Sequence, residues 1–184
     1  GIIIPLSQVI DSFIIINSLK AYRQDATVLF GLFSGVACTI INLPVSICYG
    51  VATVAVPAVS GAKNEKEKNQ NAKKTILITL FIALPSAIIC FLCAPVIIKI
   101  LFSKLNKQEA TICANLLRIL SIAIVLLSVL QTTNATLIGK GLMYAPVVAT
   151  LAGVIAKTII EAVMIKNQNI NIYAAAVALI ACYF

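Results

Sequence analysis

The chain is a succession of long apolar runs joined by short polar connections, and that pattern decides its solvent. Six runs can be drawn, over residues 2–19, 27–60, 75–102, 111–138, 145–165 and 172–184, here segments A to F. A helix needs about 20 residues to cross the hydrocarbon core of a bilayer, and most of these runs reach or exceed that length. Only helices and closed barrels satisfy their backbone hydrogen bonds in lipid. The runs are too long for barrel strands and do not alternate, so helices are expected. Hydrophobic residues make up 61% of the 184 positions and charged residues 11%. A soluble domain cannot hide that much apolar surface. An ordinary cytosolic enzyme, a secreted disulfide scaffold and a disordered chain are therefore excluded. The expected fold is an all-α integral membrane bundle of six transmembrane helices in one unit spanning residues 1–184.

Segment B is too long for one perpendicular crossing, so it must tilt, kink or extend past the bilayer. Pro44 and Pro57 in B, and Pro85 and Pro95 in C, are the natural kink points. Pro146 opens E, where a missing N–H is harmless. The chain begins with Gly1 and stops inside an apolar run, so it is read as part of a longer protein with its last helix cut short. No basic region precedes the first run, which argues against a secretory signal peptide.

The formal net charge is +8. Its lysines fall mostly between the runs, the pattern of membrane-flanking charge, and aromatic side chains are few, so no nucleic-acid partner is expected. The partner read directly is the lipid bilayer. Counting Lys and Arg on each side is nearly neutral, but the B–C connection is the densest, from Lys63 to Lys74. That loop is placed in the cytoplasm, and segment A then runs from inside to outside. Cys90-x-x-Cys93 has the redox spacing but no basic partner, and the six cysteines are read as small hydrophobes. The chain has no His, so the common His-based metal and triad chemistries are closed to it. No nucleophile–base pair, paired carboxylates or phosphate loop is found. The chain is read as no enzyme, with no metal and no cofactor.

Ionisable side chains inside a span are expensive and usually functional. Asp11 lies near the middle of A, and Lys157 and Glu161 lie one helical turn apart in E. A and E run in the same direction, so Asp11 and Lys157 share a depth. A cluster of the three would place a cation between two carboxylates, as a coupling site or as an ion pair fixing helix packing. Gln8 belongs to a polar stripe on A with Ser7, Asp11, Ser12 and Ser18. In B, Gly31-x-x-x-Gly35 reads as a close helix contact, and Asn42 can bond a backbone group that Pro44 frees. Arg118 either snorkels to the interface or faces a cavity and takes an anionic head group. Gln131 to Asn134 form a polar patch suited to a gate or to helix contacts.

Taken in order, these residues resemble a family. Pro5-Leu-Ser-Gln-Val-Ile-Asp11-Ser opens A. Phe30-Gly-Leu-Phe-Ser-Gly35, Ile41-Asn-Leu-Pro44 and Val56-Pro-Ala-Val-Ser60 follow in B. Leu84-Pro85 and Ala94-Pro95 mark C, Leu127-Ser-Val-Leu-Gln-Thr-Thr133 and Leu137-Ile-Gly139 mark D, and Ala145-Pro146-Val and Lys157 mark E. The series resembles the second half of MOP-superfamily (MATE-like) flippases, nearest to stage V sporulation protein B and the MurJ-like polysaccharide transporters. The Ile-, Asn- and Lys-rich composition suits an AT-rich bacterial genome.

That resemblance implies a C-terminal lobe, one half of a V around a central cavity, paired with a missing N-terminal lobe. It implies alternating-access transport of a lipid-linked oligosaccharide, such as the peptidoglycan precursor lipid II, across the bacterial cytoplasmic membrane. Some relatives hold sodium between the first and fifth helices of this lobe, so coupling to sodium or protons is implied. Asp11, Lys157 and Glu161 fall at similar positions, with the Lys157 ammonium where sodium would sit. Gram-negative relatives carry a cavity-facing Arg near where this chain has Thr39. Two rival readings stand beside this one: a cation-coupled multidrug exporter of the same superfamily, and a non-transporting scaffold for cell-wall enzymes.

Overall fold

The computed structural model describes residues 12–17, 26–164 and 172–183. All regular structure among them is helical. Helix α1 covers residues 12–17, and α2 runs from Ala26 to Ser60. The others are α3 (Glu65–Leu92), α4 (Ala94–Leu101), α5 (Lys107–Gly139), α6 (Tyr144–Met164) and α7 (Tyr173–Tyr183). Helices α2, α3, α5 and α6 are long and apolar enough to cross a membrane.

At 35 residues, α2 is about 52 Å long, well beyond the hydrocarbon thickness of about 30 Å. Neither Pro44 nor Pro57 breaks it. Its irregularity is a π-helical stretch, Leu32–Ala37, which rotates the buried face relative to the C-terminal part of the helix. Segment C behaves differently. Pro85 stays inside α3, but the chain bends at Cys93, and Pro95 sits in the first turn of α4. The Cys93 N–H closes α3 by donating to the Ile89 carbonyl at 2.8 Å. The bend keeps Ala94 and Ile98 buried.

The ends of α5 are set by local chemistry. At its start the Asn106 N–H donates to the Glu109 carboxylate at 2.9 Å, half of a capping box. At its end Gly141 takes φ +86°. Leu142 N–H donates to the Leu137 carbonyl at 3.0 Å, and Gly141 N–H to that of Ile138 at 2.9 Å. These are the paired bonds of a Schellman turn, which needs the left-handed residue that glycine supplies. The turn sends the chain into α6.

Helix α5 is the centre of the bundle: α2, α3, α4 and α7 all pack on it. It contributes Leu116, Leu117, Leu120 and Ile124 to the core, all fully buried. Ile15 of α1 enters the same core. Helix α6 packs mainly on α7. The outward surfaces are apolar, with Phe81, Ile88 and Leu92 of α3 and Val148, Ile155 and Val163 of α6 all exposed. That is the surface of a protein solvated by lipid rather than water.

Candidate functional site

Helix α6 has an inverted pattern. Beyond Pro146, the side chains it buries are Lys157, 5% exposed, and Glu161, 0% exposed. Four residues separate them, so they share one face. The rest of the helix turns aliphatic side chains outward. In lipid this arrangement follows from solvation, because a charge at that depth must find polar partners inside the protein. Neither residue is without an interaction in the protein. Asp11 and Gln8, grouped with this pair or on its neighbouring stripe by the sequence, lie outside the described residues.

A second polar element joins α3 to α5. Thr79 and Thr132 are fully buried, with their hydroxyl oxygens 2.8 Å apart. Thr79 Oγ1 also lies 3.0 Å from the Thr75 carbonyl, and Thr132 Oγ1 lies 2.9 Å from that of Ser128. Each hydroxyl carries one proton. One is used between the threonines, so one backbone contact at a time goes without. Ser128 Oγ and Gln131 Oε1 are buried there with no hydrogen bond. The sequence flagged Gln131 to Asn134 but missed Thr75, Thr79 and Ser128. Their four-residue spacings within apolar runs were the available signal.

The third element is a stripe on α2. Gly35, Thr39, Asn42, Ser46, Gly50 and Thr53 are all exposed, at helical spacings of three and four that hold them on one face. The hydroxyls are tied to their own helix: Thr39 to the Gly35 carbonyl at 2.8 Å, Ser46 to that of Asn42 at 2.7 Å, and Thr53 to that of Gly50 at 2.8 Å. Such bonds leave hydroxyl lone pairs free to accept. The Ser46 bond goes to the Asn42 carbonyl and not to that of Ile40, the group Pro44 frees, and the Asn42 side chain is exposed.

The glycine motif reads differently in the structure. Gly31 and Gly35 are exposed, and a Cβ at either would meet nothing within 4 Å. The close approaches are made elsewhere. A Cβ on Gly139 would stand 2.9 Å from the Val56 carbonyl oxygen, and one on Gly153 would stand 2.6 Å from that of Cys182. The first brings α5 against α2, the second α6 against α7. Arg118 is exposed on α5. Cys90 is buried and Cys93 exposed, and both are free thiols.

An all-helical, lipid-solvated chain with buried charges and an outward polar stripe is built for a membrane task. A family model, MatE, matches residues 2–163. The chain belongs to the MatE family. Comparison with curated proteins gives no match, and neither does comparison with solved structures. Membership in MatE makes this a multi-pass membrane protein and a transporter of the MOP superfamily. MatE proteins are transporters rather than enzymes. Among the described residues, no group of His, Cys, Asp and Glu is placed to hold a metal ion.

Proposed function

We propose that this chain is one lobe of a flippase that carries a lipid-linked cell-wall or polysaccharide precursor across the bacterial cytoplasmic membrane by alternating access. The observation that supports it most is the α2 stripe. Gly35, Thr39, Asn42, Ser46, Gly50 and Thr53 supply hydroxyls, an amide and glycines, with exposed Tyr49 beside them and no Asp or Glu. A polar stripe on a membrane helix faces a wet cavity or another part of the protein. Neutral donors and acceptors on such a wall suit a hydroxyl-rich sugar. A cationic drug calls for carboxylates as well as aromatic faces. Tyr49 offers an aromatic ring beside Ser46, but Glu161 of α6 is fully buried and not part of this surface.

In this reading the second wall of the cavity comes from an N-terminal lobe. Lys157 and Glu161, joined by Asp11, form the charge cluster that changes state during the cycle. The Lys157 ammonium takes the place of a coupling sodium ion. Asn42 and Gln8 contribute to the cavity, whereas Gln131, with its Oε1 buried, serves the contact between α3 and α5, and Arg118 belongs to the outer surface of α5.

Growth rescue tests the reading. The full-length protein is expressed in a bacterium depleted of its own lipid II flippase. Rescue, lost with Asp11→Asn, is the expected result. Failure to rescue despite confirmed membrane insertion, together with resistance to cationic dyes, would replace the reading with the exporter.

A further inference from the structure

We propose that the lipid-facing groove between α3 and α5 binds a phospholipid with an anionic head group, its acyl chain along Ile88, Phe91 and Ile122 and its phosphate on Arg118. The inference rests on the groove and on the membrane placement of the helices, not on which substrate is transported.

The groove has a volume of about 450 Å³ and is open along its side. Ile88, Phe91 and Leu92 of α3 form one wall, and Ile122, Val125 and Leu126 of α5 the other. Ile88 and Ile122 are each 56% exposed and Phe91 is 50% exposed. The hydroxyl among the lining residues, that of Ser121, is already committed to the Arg118 carbonyl at 2.6 Å. Ser121 is also 3% exposed, so the accessible lining is almost wholly apolar and suits hydrocarbon rather than water or a sugar. A helix is about 10–12 Å across, so this volume holds only about one turn of one. An acyl chain fits it lengthwise.

Arg118 identifies the other end of the ligand. It precedes Ile122 by one turn on the same face of α5, about 6 Å nearer the helix start. Side chains lean toward the helix N-terminus, so the guanidinium points away from the groove and toward the membrane surface. It stands eleven residues after Lys107, about 16 Å along the helix, within the apolar part of the span. Among the described residues it forms no ion pair. A lipid-exposed cation at that depth is costly unless it snorkels to an anion. Arginine holds phosphate through two parallel hydrogen bonds. Cation above and hydrocarbon trough below match a phospholipid in its membrane orientation.

The chain contains no Trp, so Ile122→Trp places a reporter at the groove. The purified protein is mixed in detergent with brominated phosphatidylglycerol or brominated phosphatidylcholine, and Trp quenching is measured against mole fraction. Both lipids offer the phosphodiester, but the choline ammonium of phosphatidylcholine cancels its charge and repels Arg118, so half-quenching is expected at about fivefold less phosphatidylglycerol than phosphatidylcholine. Adding Arg118→Gln should bring the two curves together. Native mass spectrometry of the protein without the reporter gives an independent reading: phosphatidylglycerol adducts should survive on the unsubstituted chain and be lost from Arg118→Gln. Equal quenching by the two lipids, or a preference that survives Arg118→Gln, would overturn the proposal. So would preferential capture of a polyprenyl phosphate over phosphatidylglycerol, which would make the groove a seat for the tail of a transported lipid.

Discussion

Gly153 and Cys182 meet backbone to backbone, so closely that a Cβ on Gly153 would stand 2.6 Å from the Cys182 carbonyl oxygen. No real Cβ contact is that short, and the obstacle is backbone rather than a flexible side chain. Gly153→Ala must therefore push α7 off α6. The expected outcome is a loss of about 1–3 kcal/mol, read as a lower thermal midpoint of the protein in detergent. Gly35→Ala is the control, since its Cβ would enter open space, and it should leave the midpoint nearly unchanged.

The Thr79–Thr132 contact predicts a small, coupled effect. Each single Thr→Val change should destabilise by about 0.5–1.5 kcal/mol, because it leaves the other hydroxyl with a poorer partner. The double substitution should lose less than the sum of the singles. A double-mutant cycle by denaturant titration in micelles checks this, and strict additivity would mean the hydroxyls do not cooperate.

The buried charges of α6 predict an asymmetry. Lys157→Met or Glu161→Gln alone unbalances charges held out of water, and a loss of about 3–5 kcal/mol or failure to accumulate in the membrane is expected. Lys157→Met together with Glu161→Gln should recover much of that loss. Immunoblotting of membrane fractions gives the comparison. Lys157→Asn is the functional counterpart: transport should vanish or become dependent on sodium. Transport that is unchanged with and without sodium would remove Lys157 from the coupling role.

The α2 stripe predicts wetting. Asn42→Cys should react with a membrane-impermeant maleimide well above the background of the unsubstituted chain. Ile47→Cys, on the adjacent apolar and exposed face, should not. Ser46→Leu should lower transport without lowering membrane insertion, since Ser46 supports no core contact. Equal labelling of both cysteines would mean that the stripe does not line a cavity.

The helical class was legible in the sequence because lipid leaves the backbone few choices. Apolar runs as long as 111–138 must become helices, and α5 forms there, extended by its polar cap at Asn106 and Glu109. The fate of the prolines was not legible. Either proline would remove one backbone hydrogen bond from an unbroken helix, and packing decides between continuation and a break. Around Pro85 the buried Ala83 and Ala87 hold α3 in place, whereas the bend at Cys93 keeps Ala94 and Ile98 buried. The Gly31–Gly35 spacing shows that a close approach is sterically allowed, and the structure makes its close approaches at Gly139 and Gly153 instead. Lys157 and Glu161 were legible as a buried pair of charges because nothing else in segment E is polar enough to seek the interior. The α2 stripe was harder to see. Its residues are small and uncharged, and apolar neighbours such as Leu43 and Ile47 hide its periodicity.

Transbilayer movement of a fluorescent lipid-linked disaccharide in proteoliposomes tests the central claim most directly. The full-length protein is reconstituted, and the fraction of label open to an external quencher is followed in time. The account predicts movement faster than in protein-free vesicles, slowed by Ser46→Leu and lost with Asp11→Asn. No movement above protein-free vesicles, with cation-driven uptake of a drug such as ethidium in the same preparation, would contradict it.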